Sequence, residues 1–211
     1  MDIFFLNYPN TIEKHINYVN NIYNKSNGSK DNHYFTYNNI SYVNDIKNKQ
    51  ANLYYIASLL SNNANVCEIG FNAGHSSILI LSASSNINLT IFDIDEHNYS
   101  ILCLDYIKSV FNNNIDYIEG NSIYTIPLFI NNNDIKYDLI HIDGGKNKEC
   151  IINDMKNANI LIKPNGIIII NDTHFEYISD IVDNYIKSNE YEEIQLLELN
   201  NISHRIIKKM K

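Results

Sequence analysis

The stretch Val66–Ser77, V-C-E-I-G-F-N-A-G-H-S-S, constrains what this chain can fold into more than any other segment. A β-prone apolar run ends in an acid, two glycines frame a short loop, and a hydroxyl-rich apolar segment follows as a predicted helix. Gly70 and Gly74 permit backbone angles and close ligand approach that a Cβ would obstruct, and the amides opening the next helix can receive a carboxylate or phosphate. The spacing is G-x-x-x-G, not the G-x-G-x-x-G of a dinucleotide fingerprint, and it lacks the Lys-Ser/Thr ending of a P-loop. A nucleotide-like ligand without a pyrophosphate fits it better.

From about residue 64 onward, short apolar runs alternate with longer segments of helical spacing, the pattern of a parallel sheet covered by helices on both faces. The expected strands are 65–69, 89–93, 115–119, 137–142 and 166–171, with helices over 75–84, 97–111, 122–131, 147–162 and 175–188. Lys163-Pro164-Asn165-Gly166 reads as a turn before the wholly apolar Gly166–Ile170. Two closing segments, 191–199 and 202–209, are expected to pair as antiparallel strands. Residues 1–62 form an expected helical extension, with helices at 8–24 and 45–60 and a tyrosine-rich loop over 26–44 that could cover a substrate. Residues 63–211 form the α/β domain.

Composition narrows the partners. The 211 residues suit one sizeable domain, and a formal charge of −8 opposes sequence-independent attraction to nucleic acid. Three cysteines without a C-x-x-C pair read as buried free thiols in a reducing compartment. The N-terminal apolar run is too short for a signal peptide or membrane span, so a cytoplasmic protein is expected. Asn and Ile make up roughly a third of the chain, which points to an AT-rich genome: a large DNA virus (then in host cytoplasm), a low-GC bacterium or a protozoan. That bias also devalues the N-x-S/T triplets as glycosylation signals.

In doubly wound sheets ligands bind beyond the carboxyl ends of the strands, and polar residues gather at those ends. They are Glu68–Gly70, then Asp93 with Asp95, then Asn121-Ser122, then Asp143 with Lys146, and finally Asn171-Asp172-Thr173-His174. An acid at the second strand end suits a ribose diol, with Asp93 preferred over Asp95.

These pieces, in this order over roughly residues 50–210, resemble the class I S-adenosylmethionine-dependent methyltransferases. The resemblance implies a Rossmann-like, doubly wound seven-stranded sheet with its last strand antiparallel. It also implies S-adenosylmethionine as cofactor. By position, Gly70, Phe71, Asn72 and Gly74 would hold the methionine moiety, with Glu68 organising the loop and Ser76 binding the carboxylate. Asp93 would take the ribose, and Asn121 and Ser122 the adenine edge. His75 would line the cofactor, or else cap or pack.

The fourth and fifth strand ends are similar to the metal-dependent O-methyltransferases of the catechol and caffeoyl-coenzyme A types and to the sugar-methylating relatives near the cephalosporin hydroxylase group. That likeness implies Asp143, Asn171 and Asp172 as ligands of Mg²⁺ or a similar ion. The residues alone also allow Asp143 to orient the cofactor amine and Asn171-Asp172 to cap the following helix. Lys146 matches the catechol-type lysine and would act as base with a depressed pKa; His174 and His141 compete, His141 being the better candidate for packing. The expected activity is metal-assisted O-methylation of a sugar or other small molecule, by an enzyme that uses neither nucleic acid nor membrane as partner and could dimerise through its N-terminal helices. The contrasting expectation is a non-catalytic cofactor-binding or scaffold subunit with the same fold.

Overall fold

The computed structural model describes residues 10–27, 43–84, 86–196 and 203–211. Helices α1 (Asn10–Asn27) and α2 (Val43–Ser58) lead into β1 (Ala64–Ile69), α3 (His75–Ala83), β2 (Ile87–Asp93), α4 (Ser100–Val110) and β3 (Asn114–Glu119). Then come α5 (Ser122–Asn132), β4 (Tyr137–Ile142), α6 (Lys148–Leu161), β5 (Ile162–Asn171), α7 (Glu176–Lys187), β6 (Tyr191–Glu193) and β7 (His204–Lys209). The strands form one seven-stranded sheet in the order β3-β2-β1-β4-β5-β7-β6. Strands β1 to β5 pair in parallel, and β7 runs antiparallel to both β5 and β6. This is the sheet the resemblance implies.

Successive strand residues point to opposite faces, so each central strand feeds two cores. Val66, Leu89, Ile91, Leu139, Ile169 and Ile206 face a layer built by α1 to α4. Cys67, Phe92, Ile140, Ile168, Ile170 and Ile207 face α5, α6 and α7. Ile12, Ile16 and Val19 of α1 and Leu53, Ile56 and Ala57 of α2 belong to the first of these cores, so the two N-terminal helices pack directly on the sheet layer. The expected loop over 26–44 lies largely outside the described residues, although its ends do not: α1 continues to Asn27 and α2 begins at Val43.

Helix starts follow side-chain chemistry. Asn121 caps α5 by accepting from the Ile123 amide at 3.0 Å, and Asn147 caps α6 by accepting from the Cys150 amide at 2.9 Å, each contributing about 1 kcal/mol. The expected turn at 163–166 is not a strand break. Strand β5 begins at Ile162, which pairs with Tyr137, and the register then jumps to Leu139 opposite Ile167. Asn165 absorbs the extra residues with a left-handed φ of 62°. Turn-forming residues therefore make a bulge inside one long strand. At the far edge, β6 stops at Glu193, well short of the expected 199, and the segment 197–202 lies outside the described residues. The chain's single arginine, Arg205, ties β7 to Glu193 and to Asp183 of α7. All three cysteines are buried and free, as expected. Among the described residues, no helix is long and apolar enough to cross a membrane.

Candidate active site

The carboxyl ends of β1, β2, β3 and β4 open onto a cavity of about 720 Å³, a volume suited to a small-molecule ligand. Its walls fall into two chemically different halves.

The first half surrounds the glycine loop after β1. Gly70 adopts a φ of +93°, and a Cβ there would lie 2.3 Å from the Asp143 carbonyl oxygen, so only glycine lets the β1 loop lie against the β4 loop. Asp93, at the end of β2, holds the loop from beneath. Its Oδ2 accepts from the backbone amides of Phe71 at 2.6 Å and Asn72 at 3.1 Å, and its Oδ1 accepts from the Asp95 amide at 2.8 Å. Tyr117 donates to the same Oδ1 from 3.5 Å, the longest of the four contacts. Tyr99 fixes the Asn72 side chain by donating to its oxygen at 2.5 Å. Behind the loop, the fully buried Glu68 accepts from the Ser76 and Ser77 hydroxyls and from His141 Nδ1, the last at 3.1 Å. His75 is buried too, donating from Nε2 to the Asn20 oxygen at 2.7 Å, and burial pushes its imidazole down to about 4.

The second half is built from charge. Lys49 of α2 reaches Asp143 Oδ2 at 3.1 Å, with only 16% of the lysine side chain exposed. Lys146 meets Asp172 Oδ2 at 3.0 Å. Burial would raise the Asp143 carboxyl, yet the Lys49 ammonium and His141 outweigh it and hold the group below the usual aspartate value. Asn171 is close enough to lower it further, although neither polar atom of this buried amide makes a hydrogen bond of full geometry. For Lys146, burial works to lower the ammonium pKa, but Asp172 more than compensates and raises it. Below this half, His204 accepts from the Asn52 amide at 2.8 Å, and its pKa falls to about 4 through burial, with Lys49 and His141 adding to the fall.

Most of the residues singled out in the sequence meet in this cavity. Gly70, Phe71, Asn72, Ser76, Asp93, Asn121, Ser122, Asp143, Lys146 and Asp172 line it, whereas Asp95 does not. Glu68 and Gly74 support the loop from behind; Gly74 is packed against Phe71 and Ile107. His75 both lines the cavity and packs. His141 is packed against Glu68 as expected, while His174 is exposed, lies tilted against the Phe175 ring and does not line the cavity. The depressed lysine expected at position 146 is instead an ammonium stabilised by Asp172. Nor do Asn171 and Asp172 cap α7 with their side chains, since its capping residue, Phe175, makes no side-chain cap.

Of the three expected metal ligands, each of the two carboxylates carries a lysine ammonium on one oxygen, Asp143 Oδ2 at 3.1 Å and Asp172 Oδ2 at 3.0 Å, and Asn171 is a neutral amide. Among the described residues, no group of three or more His, Cys, Asp or Glu side chains could hold a metal. Lys49 was not visible as a site residue in the sequence, because no motif surrounds it. Asp154 was missed for the same reason: it is fully buried beneath Gly144, and burial raises its carboxyl to about 6.

Residues 67–173, just over half of the chain, match the family model of a methyltransferase domain. The chain belongs to this methyltransferase family, and its sheet is that of the class I enzymes. No curated protein sequence matches it. Among solved structures, an O-methyltransferase from Bacillus cereus in complex with S-adenosylhomocysteine superposes with a TM-score of 0.69 at 15% identity, covering 98% of this chain and 93% of that one. A Staphylococcus aureus protein described as a caffeoyl-CoA O-methyltransferase gives 0.57 at 22% identity over 78% of this chain and 81% of that one. TomG from Streptomyces achromogenes, an O-methyltransferase of tomaymycin synthesis solved with S-adenosylmethionine, gives 0.61 at 14% identity over 77% and 79%. At these identities the likeness establishes the fold, and the chemistry has to come from the site.

Proposed function

We propose that the protein transfers a methyl group from S-adenosylmethionine to a hydroxyl oxygen of a sugar or other small molecule. The observation that carries this reading is the Asp93 clamp, a carboxylate that holds the Phe71 and Asn72 amides while facing the cavity. A glycine loop so held presents backbone to the methionine part of the cofactor, and the same carboxylate can accept from the ribose diol. Its lone pairs are all engaged, so the ribose would displace the long Tyr117 contact and leave the loop amides in place. The Asn121-Ser122 turn then meets the adenine edge. Two of the fold neighbours, the Bacillus cereus enzyme and TomG, were solved with the demethylated product and with the cofactor, which supports the choice.

In the transfer, the acceptor oxygen attacks the methyl carbon and the carbon–sulfur electron pair stays on sulfur. The hydroxyl proton leaves to water, and the products are a methyl ether and S-adenosylhomocysteine. Much of the acceleration comes from holding the oxygen in line with the methyl group. The divalent ion implied by the resemblance forms no part of this reading. The test is mass-spectrometric detection of S-adenosylhomocysteine and methylated product with panels of sugars, phenols and amines. Methyl ethers should form with a hydroxyl panel; product from amines alone would contradict the reading.

A further inference from the structure

The β4 loop and the start of α5 meet over a buried acid that the transfer step leaves unused. Asp154 of α6 is fully buried, and neither of its carboxyl oxygens makes a hydrogen bond of full geometry. A buried carboxyl ordinarily has such partners, because going without them costs free energy. Its Oδ2 lies 3.6 Å from where a Cβ on Gly144 would stand, and Gly144 lines the cavity. The polar group beside it is the hydroxyl of Ser122, the first residue of α5, close enough to favour the charged carboxylate against the effect of burial. Ser122 lines the same cavity, and α5 packs against α6, the helix that carries Asp154.

We propose that Asp154 is a positioning residue for the base of the cofactor: it accepts from the Ser122 hydroxyl, so that the hydroxyl oxygen faces the cavity as an acceptor for the exocyclic amino group of adenine. This rests on the methyl-transfer reading, which brings adenine to the Asn121-Ser122 turn. A serine hydroxyl has one proton and two lone pairs, and when free it rotates to serve a donor or an acceptor alike. A carboxylate beside it can only accept, which commits the proton inward and leaves lone pairs for the ligand. The Asn121 side-chain oxygen is directed elsewhere, accepting from the Ile123 amide at 3.0 Å in the cap of α5. Adenine offers an amino donor where hypoxanthine offers a carbonyl acceptor. A fixed acceptor therefore matches the first base, and with the second it sets two acceptors face to face.

Calorimetric titration of the full chain with S-adenosylhomocysteine and with S-inosylhomocysteine tests this, in mildly alkaline buffer where the Asp154 carboxyl, raised to about 6, is ionised. The wild type should bind the adenosyl ligand about 30-fold more tightly than the inosyl ligand. Ser122→Ala and Asp154→Leu should each cut that ratio to about 3-fold, and the double variant should cut it no further. Asp154→Asn keeps an oxygen that can accept from the hydroxyl and should retain most of the preference. The ratio compares two ligands on one protein, so a loss of stability alone does not move it. A wild-type ratio in Ser122→Ala or Asp154→Leu, or a lost one in Asp154→Asn, would overturn the proposal; should Asp154→Leu fail to fold, the other two variants still decide it. Equal binding of both ligands by the wild type would overturn it too and leave the cofactor reading in place. Binding of neither ligand would remove that reading, and the proposal with it.

Discussion

The two halves of the cavity are held by different physics. Around the β1 loop, Glu68 and Asp93 are buried carboxylates whose partners are hydroxyls, an imidazole and backbone amides, and nearly every contact is a hydrogen bond between residues fixed by neighbouring strands. Across the cavity, Asp143 and Asp172 are held by long, flexible lysines, and the Lys146 side chain is 61% exposed. The first half is preorganised and rigid; the second can exchange partners when an acceptor enters. A cofactor common to many reactions suits the first, and an acceptor that differs from enzyme to enzyme suits the second.

Breaking the rigid half should have the largest effect. Glu68→Ala leaves two hydroxyls and His141 without their acceptor in a fully buried place, and should destabilise the fold by roughly 4 kcal/mol in denaturant titration. Asp93→Ala frees the loop amides and should weaken S-adenosylmethionine about 50-fold, or about 2 kcal/mol, in calorimetry, with a smaller cost in stability.

The pH dependence sharpens the contrast from inside the protein. Asp154, buried beneath Gly144, has its carboxyl raised by burial to about 6 from a usual 3.8. Its neutral form is the one the fold prefers, so its contribution is full below 3.8 and is lost as pH rises through about 6. Asp154→Asn should therefore stabilise the protein by roughly 2 kcal/mol at neutral pH, with the gain vanishing in acid. His75 and His204, one in each half, work the other way. Both are pushed down to about 4 by burial from 6.5, so stability is intact above 6.5 and declines as pH falls towards 4. Thermal melts of wild type and Asp154→Asn across this range separate the two trends. The smallest effect belongs to the flexible half, where Lys146→Ala should change stability by less than about 1 kcal/mol in the same denaturant titration.

The same division decided what the sequence could show. The rigid half was legible because its parts are contiguous: acid, glycine loop and serines lie within Glu68–Ser77, and Asp93 follows at the next strand end. The parallel sheet followed from the alternation, and the seven strands with the last one antiparallel from the family resemblance. The flexible half was not legible. Lys49 lies 94 residues from Asp143, and a helical pattern over 45–60 tells nothing of which strand end that helix overlooks. Lys146 was found by its place after Asp143, but its protonation depended on a partner, Asp172, that only folding brings within reach. At 163–166 the residue types were read correctly as turn-prone, yet pairing with β4 on both sides absorbed them as a bulge. Local chemistry sets what a residue can do, and tertiary partners decide which of those options is used.

If the cofactor half is rigid before any ligand arrives, it should bind S-adenosylmethionine without the help of a metal. Calorimetric titration of metal-stripped protein with S-adenosylmethionine and S-adenosylhomocysteine, repeated with Mg²⁺ and with NAD as control, measures this. Micromolar binding of both adenosyl ligands, unchanged by Mg²⁺ and absent for NAD, is the expected result; no binding, or binding that emerges only with Mg²⁺, would show that the half is not ready by itself.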